Sequence, residues 1–135
     1  MIRWAAITAV AAALSAGGWV AVAATIASGD TDPASRRATE IAVAFFRTQN
    51  ERRYDQTCRL FSRGFYEDHR LRDQQTCEAV LHVGLTWSGK IDFTIGTARR
   101  DGDRFVVPAT ADGAPGRIVL VREGYDLRIL AVEGN

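Results

Sequence analysis

The chain has 135 residues, enough for one domain of ordinary size and too few for a two-domain enzyme. Hydrophobic residues make up 47% and charged residues 24%, with a formal net charge of +1. Residues 30–135 contain 16 basic and 16 acidic side chains, and this neutrality excludes a nucleic-acid-binding protein, which needs a clustered cationic excess.

The first 29 residues differ chemically from the rest of the chain. They contain 21 of the 63 hydrophobic residues and one charged side chain, Arg3, and residues 4–29 form an uncharged run of 26. A helix of about 20 apolar residues spans a membrane, so the length favours a retained transmembrane anchor. The alternative is a cleaved secretory signal, which the many alanines and an A-x-A site at residues 21–23 favour. Arg3 stays cytoplasmic in both cases, which predicts that residues 30–135 are extracytoplasmic.

The folded domain is predicted to begin with a helix. Asp32 is a candidate N-cap, Pro33 suits the first helical position, and the helix is expected to end near Asn50. One face of this helix is formed by Ala34, Ala38, Ile41, Ala42, Phe45 and Gln49.

Two further helices are predicted, each with one cysteine on its apolar face. Cys58 lies on a helix that begins at Tyr54, and Cys77 on a helix that Asp73 can cap. Two packed helices could bring the cysteines together, and an oxidising compartment permits a structural disulfide. The alternative is two buried free thiols.

After residue 85 the pattern changes to the alternation typical of strands. Strands are predicted at residues 87–97, 105–111, 118–122 and 125–131, with a bulge or a sheet edge at Pro108 because proline cannot donate to a strand ladder. The order indicates an α+β fold with three helices packed on a four-stranded antiparallel meander.

The chain resembles the nuclear-transport-factor-2-like superfamily, also called cystatin-like or SnoaL-like. The resemblance rests on residues 38–46 (ATEIAVAFF), 54–61 (YDQTCRLF) and 118–127 (IVLVREGYDL), and it covers residues 33–133. It implies a curled, cone-shaped sheet, and it is greatest to small secreted or membrane-anchored members common in actinobacteria, several of which pair cysteines of the second and third helices. The superfamily contains isomerases, dehydratases, hydrolases and non-catalytic modules, so the fold alone does not assign a function.

No catalytic, metal or cofactor site is predicted. A catalytic carboxylate in such a cone needs burial, but the residues that alternate onto the apolar sheet face cannot ionise, and Asp92 and Asp126 fall on the opposite face by parity. His82 lies beside the apolar stripe of its helix and could reach a pocket mouth, although a structural histidine is the simpler interpretation. The aromatic side chains that could line a pocket, or fill the core instead, are Tyr54, Phe61, Phe65, Trp87, Phe93 and Phe105.

These observations favour a membrane-anchored, non-catalytic binding domain outside the cytoplasm, in which residues 1–29 are the anchor or signal and residues 30–135 the domain. Its partner would be an envelope protein or a small hydrophobic ligand. One alternative is a small SnoaL-like enzyme acting on an apolar substrate. The other is a structural accessory subunit of an envelope complex, using an exposed sheet face with Val119, Val121, Leu130 and Val132.

Overall fold

In a computed structural model of the chain, residues 32–85 and 89–134 are described, except for the side chain of residue 85. The predicted anchor or signal in residues 1–29 and the predicted pocket residue Trp87 lie outside these ranges. Within them, no helix combines the length and the hydropathy that a membrane crossing requires.

Helix α1, Pro33–Asn50, begins as predicted. The Asp32 side chain accepts a hydrogen bond of 3.1 Å from the Ala34 N–H, and proline occupies the first turn. The helix ends in a Schellman motif, in which the N–H groups of Arg52 and Arg53 donate to the carbonyls of Gln49 and Thr48 at 2.9 and 2.8 Å. Arg52 occupies the position where glycine is usual, with a φ of 60°.

The second predicted helix is divided into α2, Tyr54–Arg59, and α3, Arg63–Asp68, followed by α4, Gln74–Leu85. The chain between α2 and α3 leaves the helix to pair with a strand: the Ser62 N–H donates to the Ile129 carbonyl at 2.8 Å, and the Ile129 N–H donates to the Leu60 carbonyl at 2.7 Å. The Ser62 hydroxyl then caps α3 by accepting from the Phe65 N–H. The described residues therefore contain four helices where the sequence predicts three.

The helices are followed by an open antiparallel sheet. Its strands are β1, Phe93–Ile95; β2, Arg99–Asp101; β3, Arg104–Ala111; β4, Ala114–Glu123; and β5, Asp126–Gly134. The strand order is β1-β3-β4-β5, and β2 pairs with β3 on the same edge as β1. The α+β class and the antiparallel meander are as predicted.

The first predicted strand, residues 87–97, is reduced to β1, and β2 follows it as a strand that is not predicted, so the described residues form five strands where the sequence predicts four. The break between β1 and β2 lies opposite Pro108. Pro108 remains paired with Arg117 of β4, and on its other side its carbonyl accepts from the Gly96 N–H at 2.7 Å. Because a residue in an antiparallel strand directs its N–H and carbonyl to the same side, the donor that proline lacks faces the gap between β1 and β2. The expected bulge or sheet edge at Pro108 is therefore wrong, because Pro108 lies in an inner strand with an unbroken register to β4 and the break falls in the chain on its other side.

The core lies between the sheet and the helices, with α1 packed on β3 and β5. The predicted apolar sheet face is confirmed: all of its residues belong to the buried cluster or pack against it. Its members are Ile91, Phe93, Ile95, Phe105, Val107, Leu127 and Ile129.

A bulge in β5 overturns part of the predicted outer sheet face. Leu120 pairs with Ile129 but Val119 pairs with Ala131, so Leu130 is an extra residue that shifts the alternation. Val132 consequently packs against the core, and a Cβ at Gly64 would lie 2.7 Å from Leu130 Cδ1.

The other two members of that predicted face are not exposed either. Val119 is buried and Val121 is half-buried. The apolar outer sheet face on which the accessory-subunit alternative depended is therefore not an exposed surface of the described residues.

Candidate functional site

The aromatic side chains predicted to line a pocket mostly pack within the core. Phe61 and Phe65 are buried and stacked, with ring centroids 3.8 Å apart. Phe105 is buried beneath the Arg100 guanidinium, whose carbon lies 4.7 Å from the ring centroid, and Phe93 stacks on a neighbouring phenylalanine of α1. Tyr54 is half-buried and lines a recess at the surface.

His82 is exposed on α4. Its ring contacts the Tyr54 ring edge-on, with centroids 6.0 Å apart. This contact places His82 beside the recess wall that Tyr54 forms.

The recess lies at the C-terminal end of α1 and has a volume of about 130 Å³. Its wall is held in place by Asn50, whose side-chain amide donates to the Ile91 carbonyl at 2.9 Å and accepts from the Ile91 N–H at 2.7 Å. This pair of hydrogen bonds joins the end of α1 to the chain leading into the sheet. The lining residues are Gln49, Asn50, Arg52, Tyr54, Gly89, Lys90 and Ile91.

Gln49 lines this recess and carries a buried hydrogen-bond acceptor. The side chain is 5% exposed, and its Nε2 donates to the Phe45 carbonyl at 2.8 Å, which defines the orientation of the amide. Oε1 is buried and accepts no hydrogen bond from any of the described residues. Leaving such an atom unpaired costs about 1–3 kcal/mol, so the site favours a molecule that donates an N–H or O–H to it.

Two cationic side chains, Arg52 and Lys90, also line the recess. Both residues are exposed, and neither forms a salt bridge with another described residue. The recess thus combines a buried neutral acceptor with two cations that have no acidic partner.

A wider depression of about 440 Å³ lies at the opposite end of α1. Here the Arg37 guanidinium binds both carboxylate oxygens of Asp126, at 3.0 and 2.8 Å, and Arg100 lies 3.5 Å from Asp32. The hydrogen bonds from Arg37 lower the pKa of Asp126 to about 2. Tyr125, at the β4–β5 turn, is fully exposed at its rim.

The position of Asp126 corrects a prediction. Parity places Asp126 on the sheet face away from the helices, but it pairs with Arg37 of α1. The residue begins β5 beside the hairpin turn, and its carboxylate turns back to accept from the Leu127 N–H at 2.8 Å. Strand parity does not determine side-chain direction at such a terminus.

The predicted cysteine pairing is present. Cys58 and Cys77 are both buried, their Cα atoms are 6.0 Å apart, and their Sγ atoms lie at the disulfide-bonding distance of 2.10 Å. The pair joins α2 to α4. No group of three or more acidic, histidine or cysteine side chains suited to a metal ion occurs among the described residues.

The sequence contained only a weak signal for this recess. Gln49 belongs to the apolar face of the first predicted helix. An amide among apolar residues indicates a buried polar side chain, but it does not indicate what that side chain binds. Lys90 and Ile91 gave no signal, because their proximity to Gln49 depends on a contact between segments about 40 residues apart. No protein-family model, curated protein or solved structure matches this chain.

Proposed function

We propose that this chain is a non-catalytic, extracytoplasmic binding domain, held at the membrane by its N-terminal segment, that binds a small ligand in the recess at the end of α1. The proposal includes the cone-shaped arrangement of the nuclear-transport-factor-2-like superfamily. The observation that carries it is the buried Oε1 of Gln49, which accepts no hydrogen bond from a described residue and belongs to a side chain that lines the recess.

The lining of the recess supports binding rather than catalysis. None of its seven residues is Asp, Glu or His, the side chains that most often act as general acids or bases near neutral pH. Both cations are exposed, whereas a lysine base requires burial to lower its pKa. A SnoaL-like enzyme would have to place its acid or base elsewhere.

A protein partner at the cell envelope is the second candidate. The exposed Tyr125 at the rim of the wider depression supports it, because tyrosine is enriched at protein interfaces. Four of the five charged side chains that line this depression are paired with one another, and only Arg122 forms no salt bridge with a described residue. The depression therefore offers one unpaired charge, whereas the recess offers two.

Ligand binding is tested by NMR on the full-length chain in lipid nanodiscs. A panel of small ring compounds carrying hydroxyl, amide or amine donors is expected to shift the side-chain amide resonances of Gln49. Gln49→Met should abolish binding, whereas Gln75→Met, at an exposed position on α4, should leave it unchanged. The proposal is contradicted if no compound in the panel shifts the Gln49 resonances, or if Gln49→Met and Gln75→Met lose binding equally.

The location is tested separately. A reporter enzyme that is active only outside the cytoplasm, fused after Asn135, should be active. The mass of the mature chain distinguishes an anchor from a cleaved signal. A reporter active only in the cytoplasm overturns the extracytoplasmic assignment.

A further inference from the structure

We propose that the recess selects small organic acids with one ring, which donate an O–H or N–H to Gln49 and direct an anionic group toward Arg52 and Lys90. This inference rests on the proposed function and names the ligand class of the same site.

The burial of the polar side chains in the recess determines how the polar groups of a ligand must be arranged. Gln49 is 5% exposed and is the most deeply buried of the lining residues, whereas Arg52 and Lys90 are exposed. A ligand must therefore carry its donor at the buried end and its anionic group at the solvent end. Opposite substitution on one ring gives that arrangement.

The size and walls of the recess match one ring. The volume of about 130 Å³ is close to that of engineered cavities of about 150 Å³ that bind benzene. Tyr54 and Ile91 provide ring and aliphatic surface, and Asn50 holds Ile91 in place through two hydrogen bonds. A ring can pack against this wall while its polar ends reach the inner acceptor and the mouth.

The charge balance favours an anion despite the nearby helix end. The C-terminus of a helix carries roughly half a negative charge, which repels anions. The carbonyls of Arg47, Thr48 and Gln49 already accept N–H groups of the Schellman motif. Arg52 and Lys90 bring two full positive charges to the same recess and are not neutralised by any described carboxylate. The cations outweigh the helix end.

The left-handed backbone conformation at Arg52 is not specific to the recess, because Arg70 adopts the same conformation elsewhere. Arg70 follows α3 with a φ of 55°, and its N–H and that of Leu71 donate to the carbonyls of Glu67 and Tyr66. Arg70 does not line the recess. Substitution of either arginine by glycine relieves the same strain, but only one substitution removes a charge from the proposed site.

Three matched probes test the inference by titration calorimetry on the full-length chain in nanodiscs. 4-Hydroxybenzoate has the donor, the ring and the anion; 4-hydroxybenzamide lacks the anion; benzoate lacks the hydroxyl donor. We expect 4-hydroxybenzoate to bind at least about ten-fold more tightly than either other probe, with an affinity that falls as salt rises. Arg52→Gly should weaken its binding about five- to ten-fold, and Arg70→Gly should leave it unchanged.

The outcomes separate this inference from the proposed function. If the benzamide binds as tightly as the acid and shifts the Gln49 resonances, the recess is a ligand site but its preference for anions is wrong. Equal losses in the two glycine variants overturn the role assigned to Arg52. If none of the ring compounds in the wider panel reaches Gln49 and water alone occupies the recess, both proposals fail.

Discussion

The two ends of helix α1 satisfy their polar groups in opposite ways. At the N-terminal end, Arg37 and Asp126 bind each other through two hydrogen bonds, and Arg100 lies beside Asp32. At the C-terminal end, the buried Oε1 of Gln49 accepts no hydrogen bond, and Arg52 and Lys90 form no salt bridge, with any residue that the structure describes. Charge density alone therefore does not mark a site, because four of the five charged side chains at the more highly charged end are paired with one another. Unsatisfied groups distinguish the recess.

The largest expected effect on stability comes from the disulfide between Cys58 and Cys77, which lies on the same side of the domain as the recess. Replacing both Cys58 and Cys77 with serine removes the link between α2, which carries Tyr54, and α4. The disulfide closes a loop of about 20 residues, so its loss should lower the free energy of unfolding by about 3 kcal/mol. Urea unfolding of the oxidised chain and the double variant measures this.

The wild-type chain under reducing conditions is the matched control, and it should resemble the double variant. A double variant as stable as the oxidised protein would show that helix packing alone positions the wall of the recess.

The second prediction separates binding from stability at Gln49. Gln49→Met removes the unpaired oxygen, and the Phe45 carbonyl keeps a hydrogen bond of 3.3 Å from the Thr48 hydroxyl. We expect this variant to be about 1 kcal/mol more stable than the natural chain while losing the ligand. Thermal unfolding and titration calorimetry on the same preparations measure the two effects. A loss of stability of similar size would indicate that the amide serves the fold.

The third prediction compares the effect on stability of Arg52, at the C-terminal end of α1, with that of Arg70, which follows α3. Arg52→Gly and Arg70→Gly each relieve a left-handed backbone conformation, partly offset by the greater entropy of glycine in the unfolded chain. Each should raise the free energy of unfolding by about 0.5 kcal/mol in urea. A stability change at Arg52 opposite in sign to that at Arg70 would mean that the Arg52 side chain makes a stabilising contact of its own.

The smallest expected effect on stability comes from the Arg37–Asp126 ion pair at the N-terminal end of α1. Because Arg37 lowers the pKa of Asp126 to about 2, below its value of about 3.9 in an unfolded chain, the pair stabilises the fold above pH 4. This stabilisation is lost as the pH falls from about 4 through 2. The pair is exposed, so we expect Asp126→Asn to be less stable by only about 0.5 kcal/mol at pH 5.

Urea unfolding at pH 5 and pH 2 provides the check. Most of the difference between the natural chain and Asp126→Asn should disappear at pH 2, where half of the carboxylate is protonated in the folded chain. An undiminished difference at pH 2 would come from the hydrogen bond to the Leu127 N–H rather than from the charge.

Local chemistry accounts for the features that could be predicted. Asp32 and Pro33 specify the start of α1 through groups within one helical turn, and the cysteine pairing follows from the apolar faces of the two helices. The division between α2 and α3 could not be predicted in this way. It depends on two hydrogen bonds with Ile129, which lies nearly 70 residues away: the Ile129 N–H donates to the Leu60 carbonyl, and the Ser62 N–H donates to the Ile129 carbonyl.

The candidate site likewise combines a feature that is predictable from local sequence with others that depend on distant segments. The spacing of apolar residues in the sequence defines the buried face of α1, and Gln49 lies on that face. The missing partner of its oxygen, and the positions of Lys90 and Ile91 in the same recess, follow from how distant segments pack together. The pairing of a buried group depends on which distant segment is folded against it, and helical periodicity contains no information about that segment.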